Sequence, residues 1–250
     1  MQRLINPDEN DLHYQKKEFI PKFLSDGQID LKYMLEQMQD LFSDHVERLG
    51  AGEKMKQEAS FFYIVMRMKG YFLRKIHPGE KFTLVTYPVA AASIQMYRYT
   101  YLLDEKNQPV FYHISLWILM NSKTRRITST KLWNDQIHKV LPDLDEMEPI
   151  TDEKLVNFPI EDYTFQKEDD YQVTSSDIDS NGHMNNSVYL KISQERGMKD
   201  DIQIFEIDFE KECFLNENIH VKTSLDEKHS LICGYKEDGS LSFKTLIQHW

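Results

Sequence analysis

One helix pattern followed by a series of strand patterns constrains the fold of this 250-residue chain more than any other feature. Across residues 30–49, apolar side chains recur at helical spacing, with Asp30 as the predicted N-cap and Gly50 as the predicted stop. The apolar stripe consists of Leu31, Met34, Leu35, Met38, Leu41, Phe42, His45 and Leu49. Strand-like runs follow at residues 60–68, 81–89, 93–103 and 110–120. A long helix followed by antiparallel strands predicts an α+β domain whose sheet covers its helix.

The second half of the chain repeats this outline. A strand-like run at residues 163–176 precedes a helix pattern that begins near Asn185. Further strand patterns occupy residues 202–213, 219–225, 231–236 and 241–249. Between the halves lies a stretch rich in proline and acidic residues, which is typical of a linker. We therefore predict a first domain at residues 1–130, a linker at 131–160 and a second domain at 161–250.

Composition argues against several classes of protein. No run of about 18 apolar residues is present, which argues against a membrane span. The first residues lack an apolar signal region, so we expect a cytoplasmic, bacterial protein. The formal net charge of −11 disfavours nucleic acid as a partner. The charge is uneven: residues 1–130 hold 18 basic and 15 acidic side chains, and residues 131–250 hold 12 and 26.

Residues 177–186, DIDSNGHMNN, concentrate two carboxylates, three carboxamides and an imidazole in ten positions. A strand-like run precedes this motif and a helix pattern follows it. The polar side chains therefore gather at a predicted helix N-terminus, where the backbone N–H groups favour negative charge. Such a place suits an oxygen atom that becomes negative during a reaction.

Three interpretations of the motif compete. D-x-D-x-N-G matches the start of an EF-hand calcium loop, but Val188 stands where the bidentate glutamate belongs. Asp, Asn and Gly also cluster in ordinary turns and helix caps, and Asp177 fits such a capping role. Asp179, Asn181 and His183 alternate, so in an extended segment they would share one side and could act together in catalysis. The two cysteines, Cys213 and Cys233, suit no zinc site, and we expect no metal.

Several motifs, taken in order, resemble a known family. Asp179, Asn181, His183, Asn185, Asn186 and Tyr189 match a D-x-N-x-H-x-N-N-x-x-Y signature, and Glu212-Cys213 follows at the end of a strand pattern. Residues 77–87, 115–117 and 124–126 add weaker matches. In these features the chain resembles the acyl-acyl-carrier-protein thioesterases of bacteria and plant plastids. The resemblance implies two tandem hotdog domains, each an antiparallel sheet around a central helix, with one active site in the second half.

The resemblance also implies roles for the motif residues. His183 would act as the acid–base group, held by Asp179, and Asn181 would donate to the thioester carbonyl oxygen. Glu212 would activate water. Its alternative is a solvated position, because Glu206, Asp208 and Glu210 share its strand parity. Cys213 as a nucleophile beside His183 stays open as a mechanistic alternative.

The remaining expectations concern the substrate. The family's first domain lines an acyl tunnel, whose depth Met34, Met38 and Phe42 could set. An acidic carrier protein would dock on basic residues of the first half, for which the candidates are Arg67, Arg74, Lys75, Arg125 and Arg126. We expect hydrolysis of fatty acyl-carrier thioesters without a cofactor. The alternatives are a hotdog acyl-coenzyme A thioesterase and a non-catalytic acyl-binding module. Acyl chain length and association into a homodimer stay open.

Overall fold

The computed structural model describes residues 10–250, which form two compact units. Unit 1 comprises the described part of residues 1–20 together with residues 37–68 and 79–155. Unit 2 comprises residues 21–36, 69–78 and 156–250. Each unit therefore draws on more than one stretch of the chain.

Unit 1 contains an antiparallel sheet whose strands run in the order β1-β3-β4-β5-β2, with a short β6 beside β5. The strands are β1 (Gln15–Phe19), β2 (Phe61–Phe72, of which residues 61–68 belong to this unit), β3 (Phe82–Pro88), β4 (Met96–Leu103), β5 (Pro109–Asn121) and β6 (Ile127–Thr128). The helices are α1 (Leu31–Arg48, from Gln37 onward in this unit), α2 (Glu53–Ala59) and α3 (Lys131–Val140). The predictions included neither β1 nor α2, and α3 occupies the beginning of the stretch interpreted as a linker.

Helix α1 forms where the sequence pattern placed it. The carboxylate of Asp30 accepts a hydrogen bond from the N–H of Tyr33 at 2.9 Å, which confirms Asp30 as the N-cap. The helix ends before Gly50, whose φ of +69° is a left-handed conformation that glycine adopts without strain. Most of the apolar stripe, including Met34 and Met38, is buried, so the helical periodicity correctly predicted which face is covered.

A buried cation lies in the core of unit 1. The Arg98 guanidinium donates to the Thr86 hydroxyl at 3.0 Å and to Nδ1 of His45, and it stands 4.7 Å from the centre of the Phe42 ring. Nε2 of His45 is 2.9 Å from the carbonyl oxygen of Leu12, so His45 is a hydrogen-bonded core histidine. Burial, followed by the charge of Arg98, lowers the pKa of His45 to about 2. Burial also lowers the pKa of Arg98, to about 9.

Unit 2 contains antiparallel strands in the order β8-β11-β10-β9-β7 and the helix α4 (Asn186–Arg196), together with residues 31–36 of α1 and 69–72 of β2. Its strands are β7 (Lys167–Gln172), β8 (Ile202–Phe209), β9 (Asn218–Leu225), β10 (His229–Tyr235) and β11 (Leu241–His249). Helix α4 packs on this sheet through Tyr189, whose ring contacts Phe209 and Phe243 edge-on at centroid distances of 5.4 and 5.2 Å. The hydroxyl of Ser193 donates to that of Thr245 at 2.8 Å.

The opposite face of the β8–β11 pair carries a buried ion pair. Asp208 and Lys244 are almost fully buried, with 3.6 Å between Nζ and the carboxylate. The Lys244 ammonium also donates to the carboxamide of Asn157 and the carbonyl of Phe158, beside a cavity of about 550 Å³. The interpretation of Asp208 as part of a solvated acidic face was therefore wrong, because Lys244 and the segment at residues 157–158 cover it. The strand prediction was also too long, since β8 ends at Phe209 rather than at Cys213.

A loop before α1 completes unit 2. The Gln28 side chain is buried and donates to the carbonyl oxygens of Met198 at 3.2 Å and Asp200 at 2.5 Å. The carboxamide of Gln194, on α4, donates to the carbonyl oxygen of Ile29 at 2.7 Å. These bonds attach the loop at residues 24–29 to the end of α4 and the turn that follows it. Within residues 10–250, no helix combines the length and apolar character that a bilayer crossing requires.

Candidate functional site

The polar motif folds into a tight hairpin. Ile178 and Met184 form an isolated antiparallel bridge, and the N–H of Asp179 donates to the carbonyl of His183 at 2.9 Å. Gly182 makes the turn with a φ of +82° and donates its N–H to the carbonyl of Asp179 at 3.1 Å. The segment is thus a turn and not an extended strand, and this turn, rather than strand alternation, brings Asp179, Asn181 and His183 together.

The carboxylate of Asp179 organises this turn. It accepts the backbone N–H groups of Asn181 at 2.8 Å and His183 at 3.3 Å, and the carboxamide of Asn181 at 3.3 Å. The expected contact between Asp179 and His183 thus involves the His183 backbone. Since the Asp179 carboxylate shapes the backbone on both sides of Gly182, it sets where the Asn181 and His183 side chains project.

Asp177 serves the local structure, as predicted. Its carboxylate accepts from the N–H of Thr174 at 2.9 Å and from the Thr174 hydroxyl at 2.7 Å, forming a capping box around a short 3₁₀ turn. Its carbonyl oxygen accepts the N–H of Asn185 at 2.8 Å. Asp177 is buried, and through these hydrogen bonds it joins the turn before the hairpin to the start of α4.

Helix α4 begins directly after the hairpin. The Asn185 side chain accepts the N–H of Ser187 at 2.9 Å, so Asn185 is the N-cap of this helix. The N–H groups of Met184, Asn185 and Val188 also have backbone acceptors. Within the part of the chain that the structure describes, the N–H of Asn186 has no such acceptor and could donate to a ligand. Val188, at the twelfth position of the calcium pattern, is a buried helical residue.

The His183 imidazole meets a carboxylate from a distant part of the sequence. After β8 the chain leaves the sheet, and the segment at residues 210–217, here called the Glu212 loop, passes beside the hairpin. Nδ1 of His183 lies 3.2 Å from Oε1 of Glu212, and their side chains are 25% and 32% exposed. A half-buried imidazole–carboxylate pair that solvent can still reach is suited to moving a proton to or from a bound molecule.

Cys213 is placed differently from its neighbour. Its side chain is fully buried, with Sγ 3.0 Å from the hydroxyl of Ser242. Burial raises the pKa of the Cys213 thiol, and this outweighs the opposing hydrogen bond from Ser242. A buried thiol with a raised pKa is a poor nucleophile, because the thiolate is the reactive form. The geometry therefore favours Glu212 over Cys213 as the residue that acts beside His183.

The other candidate residues lie in different surroundings. Phe42 stacks on Trp117 at 4.7 Å in unit 1, and the proposed tunnel role of Met34, Met38 and Phe42 stays a prediction. Arg125 and Arg126 are exposed at the turn after β5, with the Arg125 guanidinium over the Phe62 ring at 5.0 Å. Arg67 is half-buried in β2. In unit 2, Lys75 pairs with Asp201 at 2.6 Å, and Arg74 donates to the Lys75 carbonyl at 2.9 Å.

Most of the sequence matches two domains of one known family. The acyl-ACP thioesterase N-terminal domain matches residues 20–136, and the acyl-ACP thioesterase C-terminal domain matches residues 160–241. The chain belongs to the acyl-ACP thioesterase family. It is accordingly a thiolester hydrolase, and membership of the family supports fatty acyl-ACP hydrolysis as its general reaction. No curated protein sequence matches the chain.

Solved structures of acyl-ACP thioesterases share the fold. An acyl-ACP thioesterase from Bacteroides thetaiotaomicron superposes with a TM-score of 0.81 at 16% identity, covering 94% of this chain and 97% of the other. The 12:0-ACP thioesterase from Umbellularia californica superposes with a TM-score of 0.78 at 16% identity, covering 96% and 98%. At such low identity the likeness shows the fold alone. The predicted α+β, tandem hotdog class is thereby confirmed.

Some contacts at the Glu212 loop involve residues that sequence reasoning did not single out. The Lys236 ammonium donates to the carbonyl oxygen of Glu212 at 2.8 Å, and the Ser242 hydroxyl donates to that of Lys211 at 2.8 Å. Both residues lie in or beside strands of the unit 2 sheet, far along the chain from the motif. An isolated lysine after a strand and a serine within one carry no pattern in a single sequence, so no signal could have identified them.

Proposed function

We propose that the chain hydrolyses the fatty acyl thioester of acyl carrier protein, with His183 and Glu212 activating the attacking water. The observation that carries this proposal is the 3.2 Å contact between Nδ1 of His183 and Oε1 of Glu212, two residues 29 positions apart. Water loses a proton to this pair as its oxygen bonds to the acyl carbon. The C–S bond then breaks, the pair returns the proton to the departing thiolate, and a fatty acid and the carrier thiol are the products.

The carbonyl oxygen needs donors where its negative charge develops. We assign this role to the Asn181 carboxamide, at the exposed tip of the hairpin, and to the N–H of Asn186 at the start of α4. Asp179 keeps Asn181 in place through the two hydrogen bonds described above. Loss of one such donor typically slows a reaction by ~10²–10³-fold.

Substrate recognition follows from charge and apolar surface. An acidic carrier is repelled by the second half of the chain, which holds 26 acidic and 12 basic side chains, and it would dock on basic residues of the first half. Arg67, Arg74, Lys75, Arg125 and Arg126 are the proposed contacts. Met34, Met38 and Phe42 are the proposed determinants of the acyl tunnel, since methionine adapts to irregular apolar volumes. No cofactor enters the proposed reaction.

The test is a thiol-release assay on one fatty acyl group carried by acyl carrier protein. We expect His183→Ala and Glu212→Gln each to lower kcat by ~10²–10⁴-fold, the range typical of general acid–base groups. His220→Ala is the matched control. His220 is an exposed histidine of the same unit, and its ring lies 3.0 Å from the Asp170 carboxylate and 3.1 Å from that of Glu168. It belongs to β9 and lies outside the proposed site. Full activity in Glu212→Gln would refute the proposed activation of water.

The same assay separates the alternative functions. Offered the same acyl chain on carrier protein and on coenzyme A, the protein should show the higher kcat/KM with the carrier. A preference for coenzyme A would instead identify an acyl-coenzyme A thioesterase. Binding of acyl carrier protein without thiol release would identify a non-catalytic module.

A further inference from the structure

The peptide group that joins Glu212 to Cys213 is held at both of its polar atoms by side chains. Its carbonyl oxygen accepts the Lys236 ammonium at 2.8 Å, and its N–H donates to the Tyr189 hydroxyl at 3.2 Å. The next carbonyl, that of Cys213, accepts the N–H of Met184 at 2.8 Å, which ties the Glu212 loop to the hairpin. The backbone that carries the Glu212 carboxylate lies outside any strand. It is fixed by these side-chain hydrogen bonds, together with the bonds of the preceding Lys211 backbone to Ser242 of β11.

Lys236 is itself held in a defined position. Its ammonium forms an ion pair with the Glu217 carboxylate at 2.9 Å, and its side chain is 19% exposed. Its backbone closes the turn between β10 and β11: the N–H of Lys236 donates to the carbonyl of Ser240 at 2.9 Å, and the N–H of Gly239 donates to that of Lys236 at 2.8 Å. A lysine side chain is long and flexible, but these contacts restrict it to few rotamers. Its ammonium can therefore hold the groups that it contacts in fixed positions.

Lys236 also reaches the histidine side of the pair. The ammonium lies 5.3 Å from the centre of the Phe214 ring, and that ring meets the His183 imidazole edge-on at 5.1 Å. The Glu217 carboxylate, besides pairing with Lys236, accepts the N–H of Phe214 at 3.0 Å. One ammonium thus contacts the backbone that carries Glu212 and the ring that packs against His183.

We propose that Lys236 is a positioning residue for hydrolysis, which holds the Glu212 carboxylate and the His183 imidazole at their 3.2 Å separation. Glu217 supports Lys236 in this role. The inference rests on the proposed function of the His183–Glu212 pair. It predicts that removing the ammonium lowers turnover without weakening substrate binding, because Lys236 acts on the geometry of the reacting groups.

The experiment compares kcat and KM for thiol release from acyl-carrier protein. Lys236→Met keeps an unbranched side chain as far as Cε and removes the donor, and we expect kcat to fall about 10–100-fold with KM changed less than about twofold. Lys236→Arg retains a cationic donor and should recover most of the loss. Lys222→Met is the matched control, since Lys222 pairs with Glu168 at 3.1 Å and lies near the Tyr235 ring without contacting the Glu212 loop. Its kcat should stay at the wild-type value.

A second set of variants tests whether Lys236 acts through Glu212. In a Glu212→Gln background, adding Lys236→Met should change kcat less than about twofold, because coupled residues do not lose activity additively. Equal losses in both backgrounds would overturn the inference and leave Lys236 with a general structural role. A thermal melt of each variant excludes unfolding as the cause. If Glu212→Gln loses turnover while Lys236→Met matches the wild type, the positioning role alone fails; if Glu212→Gln is fully active, the proposed function fails first.

Discussion

Replacing Gly234 with alanine tests how tightly the unit 2 core is packed around the site. Gly234 lies in β10 opposite Phe243 of β11. A Cβ atom at this position would stand 2.1 Å from Cε1 of Phe243 and 2.9 Å from Cγ2 of Ile219. The Phe243 ring would have to withdraw by about 1.3 Å, from 2.1 Å to the 3.4 Å at which ordinary contact begins. Phe243 is fully buried, so the ring cannot withdraw without displacing its neighbours.

The expected cost follows from this overlap. Overpacking a core by one methyl group costs ~1–3 kcal/mol, and a fully enclosed aromatic ring places Gly234→Ala at the upper end of that range. Alanine has less conformational freedom than glycine in the unfolded chain, and this difference stabilises the folded variant by about 0.4–1 kcal/mol. We therefore expect the free energy of unfolding to fall by about 2 kcal/mol, the difference between those two terms. Phe243 contacts the Tyr189 ring, and the Tyr189 hydroxyl accepts the N–H of Cys213, next to Glu212. A displaced Phe243 ring should therefore lower kcat as well.

Urea denaturation monitored by circular dichroism measures the change. Gly197→Ala is the control, because a Cβ there would meet nothing closer than 3.3 Å, and its cost should stay below about 1 kcal/mol. Gly234→Ala combined with Phe243→Leu should be more stable than the sum of the two single changes implies, since leucine leaves room for the new methyl group. A Gly234→Ala protein within about 0.5 kcal/mol of the wild type would refute the packing argument.

Three further predictions use other parts of the molecule. Cys213→Ala should keep most of its activity in the thiol-release assay, because the thiol is buried and its pKa is raised; loss of turnover comparable to that of Glu212→Gln would restore the nucleophile mechanism. Lys244→Met should lower the free energy of unfolding by ~3–5 kcal/mol in urea titrations, because it leaves the buried Asp208 without its cation, and Lys244→Met with Asp208→Leu should recover part of the loss. The pKa of His45 is lowered to about 2 in the folded protein, so the unfolded chain takes up the proton first as the pH falls. Stability should therefore decline below about pH 6.5 by up to ~1.4 kcal/mol per pH unit, and less steeply in His45→Gln; identical slopes would refute this assignment.

Periodicity was sufficient to predict the elements that bury a continuous apolar face. The stripe of α1 and the strands from β3 to β5 were predicted to within a few residues, because each pattern repeats over several turns or alternations. The short helix α2 and the edge strand β1 were missed. Helix α2 contains no buried residue, and β1 buries only Phe19, so neither leaves a periodic pattern.

The candidate site was harder to predict from the sequence than the fold. The motif and the Glu212-Cys213 pair were identified through the resemblance, yet strand parity left a solvated position as the alternative for Glu212. Parity fails there because β8 ends at Phe209 and the following residues turn out of the sheet. Where a strand ends depends on its neighbours across the sheet, and these are non-local partners that a single sequence does not reveal. The contact between Lys236 and the Glu212 carbonyl could not be predicted for the same reason.

The loop at residues 24–29 has a consequence for anyone who wishes to isolate unit 2. A fragment that begins at residue 161 would omit Gln28 and Ile29. The carbonyls of Met198 and Asp200 would then lose the Gln28 donor, although Nδ1 of His249 still lies 3.1 Å from the Asp200 carbonyl, and Gln194 would lose the Ile29 carbonyl as an acceptor. It would also omit Asn157 and Phe158, which accept from the Lys244 ammonium. Three separate stretches of the chain form unit 2. Chimaeras that exchange halves between relatives should therefore carry residues 21–36 and 69–78 along with residues 156–250.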